Sequence, residues 1–260
     1  MRFLLEHVPV NPSIEYANGV VVPPGTTEII SRGGGSTIDV CKWVASRYNL
    51  KHTAIPTTAG TGSEVTPYIV LTVDGHKQTF TNGRYIPTSY ILDPNLATTL
   101  PRLHTIASGL DALSQCLEAS WSKNGTEESY AYASTGMLLV LKNLERCLDF
   151  PLDTQARMNM LIAANMSGRA ITITKTNVCH AISYPLTDLY GIPHGIACAM
   201  SLVYFAQKMG HGNDMKKFIK KFLPKYKIDR KKVASIAIQS PKLQDYPLSI
   251  TELDILKSLV

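Results

Sequence analysis

Between Pro56 and Glu64 the chain reads Thr-Thr-Ala-Gly-Thr-Gly-Ser, a loop with two glycines and four hydroxyl residues and nothing larger than threonine. It leaves a strand candidate, Thr53–Pro56, and hydroxyls with small residues suit a nucleotide lying across strand ends. A second small-residue run, Gly33-Gly34-Gly35-Ser36, follows a strand candidate at Glu28–Ser31. It precedes a helix suggested by Ile38, Cys41, Trp43, Val44 and Ala45. Strand, glycine run, helix is an anion-binding geometry, because glycines let a phosphate approach the backbone and a helix N-terminus supplies free N–H groups. A plain turn before a helix has the same look, so that run alone leaves both readings open. Two such loops after two strands point to an α/β nucleotide-binding fold.

Composition removes several other classes. The chain has 260 residues, 45% apolar and 18% charged, enough for a sizeable core in one large or two modest domains. No apolar run approaches the ~20 residues of a membrane span. The stretch MRFLLEHVPVNPS carries too short an apolar run for a secretory signal. Five cysteines without a C-x-x-C pair read as reduced, mostly buried thiols of a cytoplasmic protein. Net charge is +6, yet residues 214–232 hold nine basic and two acidic residues, so the rest is about neutral. In that patch Met215, Phe218, Ile219 and Phe222 keep a helical stripe, with Lys216, Lys217, Lys220 and Lys221 on the other faces. The expected reading is an amphipathic surface helix with a solvated lysine face; a nucleic-acid or membrane-surface patch is the alternative, and no nucleic-acid motif accompanies it.

Two further strand candidates, Tyr68–Val73 and Ser89–Leu92, follow the second loop. After Asp93-Pro94 the texture turns helical. Pro101 can open a helix, and Ile106, Leu110, Leu113 and Leu117 keep its stripe; 127–148 and 153–171 continue as helices. The expected organisation is an α/β nucleotide-binding domain over residues 1–98 and a helical domain over 99–260, with a cleft between them.

The helical half holds a second constellation. Asp111 and Gln115 lie four residues apart and share a helix face. His180 and His194 lie fourteen apart, and His194 sits between a proline and a glycine. A carboxylate and two imidazoles are a common ligand set for a catalytic divalent metal with an open position. Each residue alone also fits a capping acid or a hydrogen-bonded core histidine.

These residues resemble the iron-containing (group III) alcohol dehydrogenase family. The resemblance rests on Asn11-Pro12-Ser13, Gly33-Gly34-Gly35-Ser36-Thr37-Ile38-Asp39, Pro56 through Glu64, Asp93-Pro94, Gly109-Leu110-Asp111-Ala112-Leu113 and Ile192-Pro193-His194-Gly195, in order. It covers roughly residues 10–205. It implies an α/β dinucleotide-binding domain followed by an all-α metal-binding domain, a dehydroquinate synthase-like architecture. It implies reversible hydride transfer between NAD(P)H and a small aldehyde or alcohol, with Fe²⁺, or alternatively Zn²⁺, as the metal. Residue by residue, it implies that Gly34, Gly35, Ser36 and Asp39 contact the pyrophosphate. Thr57, Thr58, Thr61 and Ser63 form the second nucleotide loop. Lys77 falls at a cofactor-contacting lysine of the catalytic site, and Asp111, His180 and His194 are metal ligands. A soluble homodimer, without nucleic-acid or membrane partners, is the expected assembly.

The departures from the family matter as much. The fourth ligand, usually histidine, is here Gln115, a weak neutral donor. A second family histidine near the nicotinamide is here Tyr184, whose phenol could relay a proton, although less readily than an imidazole at neutral pH. The family begins with a strand–helix unit before Asn-Pro, and only Met1–Val10 stand there. One subgroup fits best. Thr174-Lys175-Thr176, His180 through Thr187, Gln115 and Ala119-Ser120-Trp121-Ser122 are similar to reductases of phosphonoacetaldehyde. Lys175 is then the expected cation for a phosphonate substrate. The resulting expectation is a metal- and nicotinamide-dependent aldehyde reductase, possible product 2-hydroxyethylphosphonate. The alternative is a shortened, catalytically impaired family member that acts as a binding or structural protein. A lyase related to dehydroquinate synthase fits less well, because the Pro56–Glu64 run argues against it.

Overall fold

The computed structural model describes residues 1–259. Four parallel strands, β1 (Arg2–Leu5), β2 (Glu28–Gly33), β3 (Lys51–Pro56) and a short final strand at Ser89–Tyr90, form one sheet in that order. Between β3 and that final strand, β4 (Tyr68–Val73) and β5 (His76–Thr81) make a separate antiparallel hairpin; the final sheet strand is therefore β6. Helix α1 (Ile14–Gly19) and α2 (Gly35–Tyr48) belong to this half. The rest is helical: α3 (Arg102–Trp121), α4 (Glu127–Asp149), α5 (Thr154–Thr174), α6 (Val178–Tyr190), α7 (His194–Lys208), α8 (Asn213–Lys221), α9 (Arg230–Ala237) and α10 (Glu252–Ser258).

The expected strands all form. Two that periodicity missed, β1 and β5, are the least buried, with no residue of either strand fully buried. Such strands carry no clear alternation, because no buried face imposes it. Asp74 and Gly75, both at positive φ, close the β4–β5 hairpin, as type I′ turns require. All five cysteines are free and buried. Helix α8 covers the basic stretch as expected, with Ile219 buried and Lys216, Lys217, Lys220 and Lys221 outside the core.

Each half has its own core. In the first, Val40, Cys41 and Val44 of α2 pack on Ile29 of β2 and on Ile69 and Leu71 of β4. In the second, Leu110, Leu113 and Leu117 of α3 lie fully buried against α4, α5 and α7.

The glycines of the two loops are explained by how closely the chain packs there. A Cβ on Gly35 would sit 2.7 Å from the Thr61 side chain, so the two loops press on each other. A Cβ on Gly60 would lie 2.9 Å from Ser108 of α3. At Gly62, φ is +59°, and a Cβ would lie 2.5 Å from the Ala164 carbonyl and 2.6 Å from Gly168 Cα, both on α5. The small residues of the 57–63 run therefore let the strand ends dock on the helices. Approach of a ligand is not what demands Gly60 and Gly62.

Gly62→Ala combines positive φ with a backbone clash, and should lower unfolding free energy by about 2–4 kcal/mol or more. Gly19→Ala faces open space, and should change it by no more than about 0.5 kcal/mol. Denaturant titration of both variants checks this; equal, small losses would remove the docking role of Gly62.

Candidate metal centre and cleft

Helix α3 carries Asp111, Gln115 and Glu118 at i, i+4 and i+7, all buried. Glu118 is completely buried and faces the start of α6. It accepts backbone hydrogen bonds from Asn177 at 3.2 Å, Cys179 at 2.5 Å and His180 at 3.2 Å. These are the free N–H groups of a helix N-terminus, where negative charge is also favoured by the helix dipole. The same carboxylate meets His180 Nδ1 at 2.5 Å. A carboxylate can only accept, so Nδ1 carries a proton and Nε2 is the nitrogen turned to the pocket, a lone pair whenever the ring is neutral.

That Nε2 is buried and has no hydrogen-bond partner among the described residues. It lies 3.4 Å from Asp111 Oδ1. His194, the first residue of α7, brings its own Nε2 to 3.8 Å from the same Asp111 oxygen. Gly195 makes this approach possible: a Cβ there would stand 1.8 Å from the Ala107 carbonyl of α3. The Pro193-His194-Gly195 turn thus holds the imidazole and lets α7 press on α3.

Burial disfavours charge on each of these groups, yet their mutual interactions outweigh it. Burial notwithstanding, hydrogen bonding to His180 and the nearby His194 hold the Asp111 carboxyl below its ordinary range. Glu118 is likewise held low against its burial by His180. His180 is raised well above an ordinary histidine, as Cys198 and Glu118 overcome its desolvation. Two buried carboxylates against one imidazolium leave a net negative pocket, which a divalent cation neutralises. The bare Nε2, the adjoining carboxylate oxygen and the second imidazole fit such a metal, with Glu118 supporting His180 from behind.

Gln115 does not offer its oxygen to this point. Its Oε1 accepts from Ser167 Oγ at 2.8 Å, and its Nε2 faces Asp111 Oδ1 at 3.3 Å. One further group was not legible as a site residue. Cys198, one turn after His194, is fully buried with Sγ 3.8 Å from His194 Nε2. Asp111, His180, His194 and Cys198 each present one donor atom within 4.8 Å of one another. Against its burial, His180 and His194 pull the Cys198 thiol down to about 6. The one trace of either in the sequence is a shared helix face, Glu118 seven residues after Asp111 and Cys198 four after His194, a spacing that core residues show equally.

The centre opens into a cavity of about 730 Å³ between the two halves. Gly35, Ser36, Thr61 and Ser63 line it from the loops, Lys77 from β5, and Lys175 and Tyr184 from the helical half. Gly34, Thr57 and Thr58 are not among its lining residues; Gly34 is packed against Thr58, and the Thr57 N–H is bonded to the Gly33 carbonyl. Asp39 also lines the cavity, but its carboxylate is engaged by Ser63 Oγ at 2.5 Å and Val70 N–H at 2.9 Å. It anchors the loop and hairpin to α2. Opposite them, Lys242 donates to Thr176 Oγ1 at 2.9 Å and stands 5.4 Å from the Tyr184 ring centre. Nothing local in the sequence marks Lys242; folding alone carries it to the cleft.

Removing Glu118 leaves His180 and the α6 N-terminus without their buried partner. Glu118→Ala should lower the stability of the metal-free protein by about 3–5 kcal/mol, the usual effect of breaking a buried pair. Unfolding by denaturant at neutral pH measures it, and a loss under about 1 kcal/mol would show that Glu118 is not the support described.

Comparison with known proteins agrees with this geometry. The model for the Fe-containing alcohol dehydrogenase family, C-terminal, matches residues 105–244, and that for iron-containing alcohol dehydrogenase matches residues 5–94. Phosphonoacetaldehyde reductase of Streptomyces viridochromogenes is 42% identical over 151 residues, covering 57% of this chain and 38% of the relative. 1,3-Propanediol dehydrogenase of Klebsiella pneumoniae is 36% identical over 156 residues, covering 59% and 40%. The chain thus spans well under two thirds of these relatives' lengths. Among solved structures, sulfoacetaldehyde reductase from Bifidobacterium kashiwanohense, in complex with NAD⁺, superposes with a TM-score of 0.87 at 28% identity, covering 97% of this chain and 81% of that one. An iron-containing alcohol dehydrogenase from Thermotoga maritima gives 0.85 at 28% identity, covering 98% and 81%. The two family models between them take in both the loop-bearing and the metal-centre half, and the chain belongs to the iron-containing alcohol dehydrogenase family.

Proposed function

We propose that this chain is a nicotinamide- and divalent-metal-dependent reductase of small aldehydes that carry an anionic group, with phosphonoacetaldehyde as the first candidate. The observation that carries the reading is the bare, buried His180 Nε2 facing Asp111 and His194 at the end of a cavity. When bound, the metal supplies Lewis-acid polarisation of a carbonyl, and the reduced nicotinamide dinucleotide supplies the hydride.

The chain's own residues do the positioning. Asp111, His180 and His194 hold the metal. Gly35, Ser36, Thr61 and Ser63 border the dinucleotide, with Asp39 bracing them from α2. Lys77 and Thr79 come from the β4–β5 hairpin, and Thr79 Oγ1 lies 3.4 Å from the Tyr184 hydroxyl. That hydroxyl pair stands beside the metal centre and is placed to pass a proton to the product oxygen.

Four observations support an anionic substrate. Lys175 and Lys242 both line the cavity on the Tyr184 side, Lys242 with Thr176 as its hydrogen-bond partner. The cavity's Asp245 is engaged by Asn124 Nδ2 at 2.8 Å and competes less for these lysines. Lys175 has φ +60° and ψ 174°, a backbone state that costs a non-glycine residue ~1–3 kcal/mol and is typically kept where a side chain must be aimed. Two of the similar proteins, phosphonoacetaldehyde reductase and sulfoacetaldehyde reductase, are named for aldehydes with an anionic end.

Oxidation of reduced nicotinamide, followed with phosphonoacetaldehyde and with a neutral aldehyde of similar size, tests the reading. The anionic aldehyde should be preferred. Lys175→Ala and Lys242→Ala should each lower kcat/KM for it by roughly 30-fold or more, the effect of ~2–5 kcal/mol for a lost contact to a desolvated anion. The neutral aldehyde should lose only a few-fold. A neutral preference in the unmodified protein, or equal losses for both substrates, would overturn the substrate class. His194→Ala should also lower bound metal, measured by elemental analysis; unchanged content would remove His194 from the centre.

A further inference from the structure

We propose that Cys198 is the fourth protein ligand of the divalent-metal centre, supplying a thiolate where Gln115 supplies no oxygen. The proposal rests on the reading of Asp111, His180 and His194 as that centre. Three observations on different elements converge on it.

Position comes first. His194 and Cys198 are four residues apart on α7, so they share one face of the helix. Cys198 Sγ is fully buried and lies 3.8 Å from His194 Nε2. His180 Nε2 and Asp111 Oδ1 are 3.4 Å apart, and Asp111 Oδ1 and His194 Nε2 3.8 Å. Around a tetrahedral metal with bonds of about 2.0–2.1 Å to nitrogen or oxygen and about 2.3 Å to sulfur, donor atoms stand roughly 3.3–3.6 Å apart. The four donors need to close in by only a few tenths of an ångström along the measured edges.

The second observation is the unpartnered His180 Nε2, buried and turned into the same space. Glu118 fixes that orientation from behind, so Nε2 is always the nitrogen presented to the pocket. The third is Gln115. Its amide N–H faces Asp111 and its oxygen is taken by Ser167 Oγ. The helix position that would complete the set from α3 is therefore engaged in holding Asp111, and the one remaining donor at that space comes from α7.

Ligation replaces the S–H bond of Cys198 by a sulfur–metal bond, and the proton leaves to solvent. No oxidant or reductant takes part. A sulfur donor is softer than an amide oxygen, and it biases the centre toward Zn²⁺ relative to a site built of nitrogen and oxygen alone.

Titration of the metal-free full chain with Co²⁺ tests this without any turnover. The unmodified protein should bind one equivalent and develop a near-ultraviolet sulfur-to-cobalt charge-transfer band. Cys198→Ser should still bind Co²⁺ through Asp111, His180 and His194, about tenfold or more weaker, and without that band. Cys198→Asp gives a second variant with an oxygen donor, also expected to bind without the band. One equivalent of Co²⁺ bound by the unmodified protein with no charge-transfer band would overturn the thiolate and leave the metal centre standing. A band that survives in Cys198→Ser would overturn it as well. Absence of Co²⁺ binding altogether would overturn the metal centre, and the thiolate with it.

Discussion

The Glu118 carboxylate, buried where α3 meets the start of α6, is the interaction on which the site depends. A buried carboxylate is stable only when its oxygens are filled. Here three backbone N–H groups of the α6 N-terminus and His180 Nδ1 fill them. One contact thus does three things. It caps α6, it ties α6 to α3, and it fixes the His180 tautomer so that Nε2 points away from Glu118 as a lone pair. Asp111, two turns earlier on the same helix, is then brought opposite that lone pair by helix geometry alone. The convergence of donor atoms in the pocket follows from this packing before any metal is considered.

A second constraint joins the halves. The Gly60–Gly62 segment presses on α3 and α5 so closely that side chains are excluded, and Gly195 does the same between α7 and α3. Close backbone approach converts a sequence of small residues into a rigid seam. The seam sets where Thr61 and Ser63 stand relative to Asp111 and His180, and so places the nucleotide loops beside the metal centre.

Much of this was legible, and unevenly so for physical reasons. Strands β2 to β4 and helices α3 to α5 bury a face, so their apolar spacing reports them. Strands β1 and β5 bury little and leave no pattern. The loops are legible as special, but the small residues that suit a nucleotide across the strand ends also suit close docking, and helix docking explains Gly60 and Gly62. Both demands select the absence of a side chain, and a single sequence cannot separate them. Asp111, His180 and His194 were legible mainly through their family motifs, since their spacing alone also fits core residues. Glu118 and Cys198 share faces with Asp111 and His194, yet a lone Glu or Cys at helical spacing carries no signature. Lys242 reaches the cleft from a segment more than sixty residues after Lys175, and only the tertiary fold brings the two to one cavity.

The far wall of the cleft depends on two buried charges of α2. Asp39 accepts from Ser63 in the loop and from the Val70 backbone in β4. Lys42, also buried, donates to the Thr66 carbonyl at 2.9 Å and the Tyr68 carbonyl at 2.8 Å, at the start of the same strand. Burial pulls Lys42 down to about 8 against the opposing influence of Asp39 and Glu64, and burial raises Asp39. Both groups are taken up within the fold, Asp39 by the Ser63 hydroxyl and the Val70 N–H, and Lys42 by the Thr66 and Tyr68 carbonyls. What the pair secures is the hairpin. β4 is pinned to α2, β5 follows through its ladder, and Lys77 and Thr79 are carried out over Tyr184. The hydroxyl pair beside the proposed metal centre therefore owes its position to buried groups of α2, which is why the Asp39 of the glycine-loop motif belongs to the site's architecture more than to its ligand contacts.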